Sequence, residues 1–484
     1  MEVLGEKFRQ VVFSGAQEFL GLIETKSPRM IRIIAHNDTD GITSSAILVR
    51  VLKRLNLRYW LSNPKVFDLA EVNKLEKEEW DLAFILDFGL SEEKYRRLER
   101  TGKKIFILDH HIMDFPTEAK NITLISAYKC DENLSASAVS YLFGRALSEK
   151  NKDLAFIGIL GLLGDLQKVP PYILKDAMDE KKVSVRRGPR IFGASTRPLH
   201  RALALSDIFI PGVSGREEEA LEILRQAGIK QMENGRYRTL LDLSEGEMKA
   251  LCTLIATRGS NGNFIDDIYI FNLNGKLYDG RELSSMVNSC GRLGKAELGI
   301  EACYGNLQKA EKNYEKYRKE IFAALKWFEK KKGVMTSGAE GTGRGVESAG
   351  LGAGGRERGA QGSANGKSER KGRGGNGEGQ VLEACNGKVW LINAKEEVRD
   401  TIIGVLISML SSYYKDKILI GMASSDERIK ISIRASNLNA KEFLGKMLDG
   451  ISEETGGHAN AAGGFISKAN EAIFINRITE LAKW

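Results

Sequence analysis

Residues 30–55 read "MIRIIAHNDTDGITSSAILVRVLKRL", and three kinds of chemistry meet in them. "MIRIIA" (30–35) is short, rich in β-formers and almost continuously apolar, the mark of a strand covered on both faces. "ITSSAILVRVLKRL" (42–55) has the spacing of a helix. Between them, His36-Asn37-Asp38-Thr39-Asp40-Gly41 packs two carboxylates and an imidazole where the strand should end. Such a cluster repels itself unless something cationic sits there.

The same alternation continues outward. "LAFILD" (82–87), "KIFILD" (104–109) and "NITLIS" (121–126) repeat the strand signature. "SEEKYRRLERTG" (91–102) and "SASAVSYLFGRALSEK" (135–150) repeat the helical one, with Ser91 and Ser135 as N-caps. That order predicts an α/β domain over 1–180, built on a doubly wound, mainly parallel sheet whose active site lies beyond the strands' carboxyl ends. Residues 181–332 read as a mostly helical connecting region that ends in a long charged helix, 308–332. Residues 333–380 are glycine-rich with almost no large apolar residue and read as a disordered linker. Periodicity resumes in "KVWLIN" (388–393), "DTIIGVLISMLSSYY" (400–414), "KILIGMAS" (417–424) and "IKISIRAS" (429–436), which predicts a smaller α/β domain over 381–484.

A chain of 484 residues exceeds one ordinary core. Its net charge of +8 favours a polyanionic partner, though charge speaks to association rather than fold. Five cysteines without a CxxC pair argue against a disulfide framework or a cysteine zinc site. The N-terminal stretch lacks an apolar signal core, and "LAFIGILGLLG" (154–164) falls short of the roughly 20 residues a membrane span needs. A cytoplasmic, nucleoid-associated protein with no membrane contact is expected.

Four clusters stand at the ends of predicted elements: His36 to Gly41, Asp87, Asp109-His110-His111, and Asp165. Of the chain's five histidines, three fall in this set. Carboxylates mixed with imidazole suit Mn²⁺, with Mg²⁺ as the alternative, and there are ligands enough for two ions. Asp87, on a neighbouring strand, is placed to bridge them. Read alone, Asp38 serves equally as an N-cap, and "DFG" (87–89) lacks the companions of a kinase site.

Two further stretches suit nucleic acid. "KKVSVRRGPRIFGASTRPLHR" (181–201) is basic, with Phe192 and His200 as stacking candidates and Arg197 as the strongest single contact; a solvated loop explains it equally. Near the C-terminus, Gly456-Gly457-His458 offers open backbone amides and a donor, and Arg434 follows a β-run; for the glycines alone, a tight turn is the plain alternative.

Taken together these residues resemble the DHH phosphoesterase superfamily, named for the triplet at Asp109-His110-His111. "TGGHANAAGG" (455–464) resembles the glycine-histidine signature of its DHHA1 domain, and "SIRAS" (432–436) that domain's phosphate-binding strand. "NSCGRLG" (288–294) resembles the connecting motif of the archaeal RecJ-like exonucleases. The resemblance implies one Mn²⁺ held by His36, Asp38, Asp87 and Asp165, and a second by Asp40, Asp87 and His110. His111 would face the scissile phosphate and Asp109 would orient the histidines. Many RecJ members carry aspartate where His36 stands. Arg197, Asn288, Arg292, Arg434, Ser436, Gly456, Gly457 and His458 would contact substrate.

The implied activity is exonucleolytic release of mononucleotides from single-stranded DNA, with RNA also in view, 5′→3′ favoured, in replication or repair. The resemblance also implies the GINS complex as a partner. Two alternatives stay open: an oligoribonuclease or cyclic-dinucleotide phosphodiesterase, and a replisome scaffold that binds GINS.

Overall fold

The computed structural model describes residues 4–206, 210–258, 264–338, 378–384, 387–425 and 427–480. The chain divides into two compact units, 1–315 and 316–484.

The first unit opens with helix α1 (Glu6–Lys26) and a five-stranded parallel sheet: β1 (Ile31–Ala35), β2 (Tyr59–Ser62), β3 (Leu82–Leu86), β4 (Lys104–Asp109) and β5 (Ile122–Ser126). Helices α2 (Thr39–Arg54), α3 (Leu69–Lys77) and α4 (Glu92–Arg100) connect the first four strands, and α5 (Ala136–Leu147), α6 (Ala155–Gly164) and α7 (Pro171–Asp179) follow the fifth. The strand order is β2-β1-β3-β4-β5. The doubly wound sheet expected from the sequence is present. Its unbroken apolar strands have a plain cause. Ile31, Ile33, Phe84, Leu86, Phe106 and Leu108 pack into one core with α1, α2, α5 and α6. Ile34, Ala83, Ile85, Ile105 and Ile107 face a second core with α3 and α4. The order reverses between β1 and β3, so the loops leaving them diverge and open a crevice at the strands' carboxyl ends.

The connecting region differs from the expectation. Residues 181–332 are rich in helix, but they also hold an antiparallel sheet of β6 (Val183–Pro189), β9 (Ile265–Leu273) and β10 (Lys276–Asp279), and a short hairpin, β7 (Met232–Glu233) with β8 (Arg236–Tyr237). The basic stretch therefore begins as a paired strand rather than a solvated loop. Its arginines masked the alternation, because Val183 is buried while Arg186 and Arg187 are exposed. Helices α8 (Leu199–Ala204), α9 (Glu217–Gln226) and α10 (Glu245–Thr257) surround a core of their own. Helices α11 (Gly280–Arg292) and α12 (Ala296–Cys303) instead pack into the first core, through Leu283, Met286, Val287, Cys290, Ala302 and Cys303. Helix α13 (Gln308–Gly338) runs past the expected start of the linker; of that linker, 339–377 lies outside the described residues.

The second unit is a six-stranded mixed sheet, ordered β11-β12-β13-β14-β16-β15. Its strands are β11 (Gln380–Ala384), β12 (Val389–Asn393), β13 (Ile418–Ser425), β14 (Arg428–Arg434), β15 (Ser452–His458) and β16 (Ala461–Ser467). Helices α14 (Asp400–Tyr413), α15 (Ala440–Leu448) and α16 (Glu471–Glu480) complete it. The elements read from the sequence here recur with boundaries shifted by a residue or so. Among the described residues no helix is long and apolar enough to cross a membrane.

Candidate metal centre

Strand β1 delivers His36, and α2 begins inside the acidic run. Asp38 caps that helix, its Oδ1 accepting the Gly41 amide at 3.1 Å, while its Oδ2 lies 2.9 Å from His36 Nδ1. The cap and the cluster are one side chain doing both jobs. Asp40, in the first turn and 1% exposed, also accepts the amides of Ala136 (2.6 Å) and Ser137 (2.9 Å) at the start of α5. Two helix N-termini therefore converge on it, the favourable place for a carboxylate.

Directly after strand β3 comes Asp87, 3% exposed and held at φ 65°, a left-handed conformation that Asp tolerates better than most residues. That backbone turns its carboxylate across the switch point. Oδ2 lies 3.7 Å from His36 Nδ1 and Oδ1 lies 3.3 Å from His110 Nε2. Strand β4 ends in Asp109, fully buried, which accepts the amides of Gly89 (2.8 Å), His110 (2.6 Å) and His111 (2.9 Å) and the ring Nδ1 of His111 (2.7 Å). Asp165 caps the end of α6, its Oδ2 3.4 Å from His110 Nε2.

The described residues contain three groups with donor atoms close enough to share an ion: His36-Asp38-Asp87, Asp40-His110-Asp165 and Asp87-His110-His111. One detail departs from the resemblance. Asp165 gathers with Asp40 and His110, whereas the expectation put it with His36 and Asp38. It projects from the end of α6, on the side of the crevice where α5 meets α2.

Electrostatics explain why this arrangement suits a cation. Burial, then the charge of Asp87, raises the Asp40 carboxyl to about 6. Burial, then Asp40, Asp87 and Asp38, raises Asp165 to about 9. Burial would lower His36, but Asp38 and Asp87 outweigh it and lift the imidazole to about 10. His110 reaches about 10 in the same way, with Asp87, Asp40 and Asp165 opposing burial. Protons are standing in for positive charge that a divalent ion would supply. Asp109 behaves differently: His111 and its amide donors overcome burial and hold it well below the usual carboxylate range. It is a permanently ionised anchor that fixes which His111 nitrogen faces outward.

"NSCGRLG" forms the last turn of α11 and the loop after it. A Cβ on Gly291 would overlap the carbonyl oxygen of Asn37, whose side chain returns a hydrogen bond to Gly291 O at 3.3 Å. This glycine lets α11 lie directly on the acidic turn. Arg292 thereby comes near enough to help depress Asp38. The Oδ1 of Asn288 and the Nε of Arg292 are buried without a hydrogen-bond partner among the described residues. Arg197 stacks over Phe192 at 5.6 Å, in a segment clamped by Glu282. That buried acid on α11 accepts from the Ser195 amide (2.9 Å), the Ser195 hydroxyl and Thr196 Oγ1 (2.5 Å). His200 is not a stacking residue: it is 8% exposed and packs on Tyr237. Glu282 and Asn63, whose Nδ2 donates to His36 O at 3.0 Å, carried no sequence signal, since nothing in their local pattern marks them as joining distant loops.

In the second unit, Gly456, Gly457 and His458 lie within β15, opposite Gly463, Ala462 and Ala461, and the turn falls at 459–460. The glycines thus belong to an edge strand and not to the tight turn that was their plain alternative, and along such an edge alternate peptide groups stay unpaired. Gly457 has φ 132°, and a Cβ there would overlap Ala461. Arg434 pairs with Ala461 in register, and its Nε donates to Ser408 Oγ at 2.9 Å. Ser436 is exposed just past the strand end. The hairpin, Arg434 and Ser436 therefore share one end of the sheet.

A parallel sheet with acids and imidazoles gathered at its switch point, followed by a separate mixed-sheet unit, defines a two-unit α/β protein built around a divalent-ion site. Residues 30–162 match the DHH family, N-terminal domain, residues 191–267 the DHH-CID domain and residues 386–483 the DHHA1 domain; the chain belongs to the DHH superfamily and has a RecJ-like build. An uncharacterised protein of Methanocaldococcus jannaschii is 27% identical over 286 residues, 56% of this chain and 63% of that relative, so the chain spans less than two thirds of its length. RecJ of Thermus thermophilus in complex with Mn²⁺ has a TM-score of 0.54 at 16% identity, covering 98% of this chain and 55% of its own. CDC45 from Entamoeba histolytica has a TM-score of 0.59 at 11% identity, covering 98% and 99%. At these identities the likeness is one of fold.

Proposed function

We propose that the protein is a divalent-metal phosphodiesterase that releases mononucleotides from the end of single-stranded nucleic acid, DNA foremost, with 5′→3′ the favoured direction. The observation that carries this is the convergence of Asp87 on both ligand groups, one carboxylate oxygen toward His36 and the other toward His110. His36, Asp38 and Asp87 would hold one ion; Asp40, His110 and Asp165, sharing Asp87, would hold the second. Two Mn²⁺ would balance the four carboxylates of Asp38, Asp40, Asp87 and Asp165, with Mg²⁺ the alternative. When bound, such ions polarise phosphoryl oxygens and acidify water.

The chain's own groups do the rest. Asp109 takes the Nδ1 side of His111, which leaves Nε2 to donate to a phosphate oxygen. Arg292, Asn288 and Arg197 fit the neighbouring phosphates. Arg434, Ser436 and the edge strand at Gly456-Gly457-His458 supply a cation, a hydroxyl and amides for a chain end. The test is digestion of 5′- and 3′-labelled DNA and RNA single strands with Mn²⁺ and with Mg²⁺. Mononucleotide release should vanish in Asp87→Ala and in His110→Ala. Undiminished digestion by both variants would refute the reading, and the labels report direction and sugar preference.

The fold likeness to CDC45 favours a second role beside catalysis, that of a replisome component binding GINS. Retention of GINS by immobilised full-length protein tests it. A dinucleotide cleaved faster than a long single strand would instead support the oligoribonuclease or cyclic-dinucleotide alternative.

A further inference from the structure

Six α-helices among the described residues close with the same pair of backbone hydrogen bonds, a Schellman motif. In each, one residue takes the left-handed conformation. Gly228, Gly294 and Gly305 do so at no steric cost, and Asn56 tolerates it. Lys181 follows a surface helix. The sixth is Leu166, at φ 56°, with its amide on Leu163 O (3.3 Å) and the Gln167 amide on Leu162 O (2.9 Å).

Leu166 ends α6, the helix that delivers Asp165. It is 90% exposed, more than any other large apolar side chain described. Ile112, directly after His111, is 57% exposed. Leu166 directly follows Asp165 and Ile112 comes two residues after His110, so each aliphatic residue adjoins in the chain one of two side chains that lie 3.4 Å apart. One exposed leucine is ordinary. A leucine held where glycine is at ease, almost wholly in solvent and one residue from a carboxylate of the cluster, breaks a local rule, and such breaks gather at functional sites.

We propose that Leu166, together with Ile112, is the apolar contact for the terminal nucleotide: its base and sugar lie on these side chains while its phosphate sits among the histidines and aspartates. This rests on the phosphodiesterase reading above. An aliphatic surface reads no hydrogen-bond pattern, so the contact serves every base alike.

The test uses the full chain, Mn²⁺ and a short thymidine single strand. Leu166→Gly relieves the backbone and should leave the melting temperature unlowered. KM should rise about tenfold, the loss expected for part of one leucine contact, with kcat little changed. Leu166→Met should restore KM. An unchanged KM in Leu166→Gly would overturn the proposal, as would a lowered melting temperature with KM and kcat worsening together. If the unaltered protein cleaves no single strand, the phosphodiesterase reading itself fails and this contact with it.

Discussion

Asp165 shows how one residue can serve the site and burden the fold. Raised to about 9 by burial and three neighbouring carboxylates, it resists ionisation unless a cation arrives. Asp165→Asn should therefore raise the melting temperature of the metal-free protein by about 2–4 °C, the shift expected for a relief near 1 kcal/mol, while weakening Mn²⁺ binding at least about tenfold. Differential scanning calorimetry in chelator and Mn²⁺ titration check the two halves. The pH dependence has a definite sign. His36, His110 and Asp165 bind protons more tightly folded than unfolded, so their stabilisation is complete at acid pH. It is lost as pH rises, from 6.5 toward about 10 for the histidines and from 3.8 toward about 9 for Asp165. Asp38 and Asp109 act in the opposite sense, losing stabilisation only as pH falls below the ordinary carboxylate range. Metal-free protein should thus melt at progressively lower temperature between neutral and alkaline pH, while Mn²⁺ affinity climbs as the ligands shed protons. A melting temperature that rises across that window without metal would contradict this assignment.

At the scale of elements, α11 does the most to shape the crevice. It meets the acidic turn at Gly291, receives Thr39 Oγ1 on the Ser284 carbonyl (3.0 Å) and anchors the Arg197 segment through Glu282. Gly291→Ala should cost about 1–3 kcal/mol in chemical denaturation, the usual range for overpacking a tight contact, and depress turnover by displacing the turn that carries Asp38 and Asp40. Glu282→Gln should leave the helix intact but loosen the 195–197 segment, seen as a raised KM for single strands with kcat largely retained. A matched fall in kcat would mean that Glu282 acts on the metal cluster instead. The helices around the site were legible because their caps are local: Ser91, Ser135 and Asp38 sit where an N-cap should. The sheet of β6, β9 and β10 was not, since exposed arginines and aspartates interrupt its apolar alternation.

For the whole molecule, a net charge of +8 says that binding should be strongly electrostatic. If about three phosphates are neutralised, KM for a single strand should rise about twentyfold between 50 and 200 mM salt. A flat salt response would point to a small substrate held by few charges. The division at residue 315 places α11, α12 and the antiparallel sheet with the parallel sheet, although from sequence they read as a separate connector. Their apolar faces are completed only by residues hundreds of positions away, as Cys290 and Cys303 are by the core around Ile42.

What the amino-acid order determined by itself was local and periodic: strands that read as apolar runs, helices with their caps, and acids and imidazoles stationed where strands end. These follow from backbone geometry and from the repulsion of like charges, both written within a few residues. Tertiary structure decided which of those residues meet. It put Asp165 with Asp40 and His110, turned Asp87 toward both groups, buried His200, laid Gly291 on Asn37 and left Leu166 in solvent. Such outcomes depend on how elements pack, and packing is a property of surfaces assembled from distant parts of the chain.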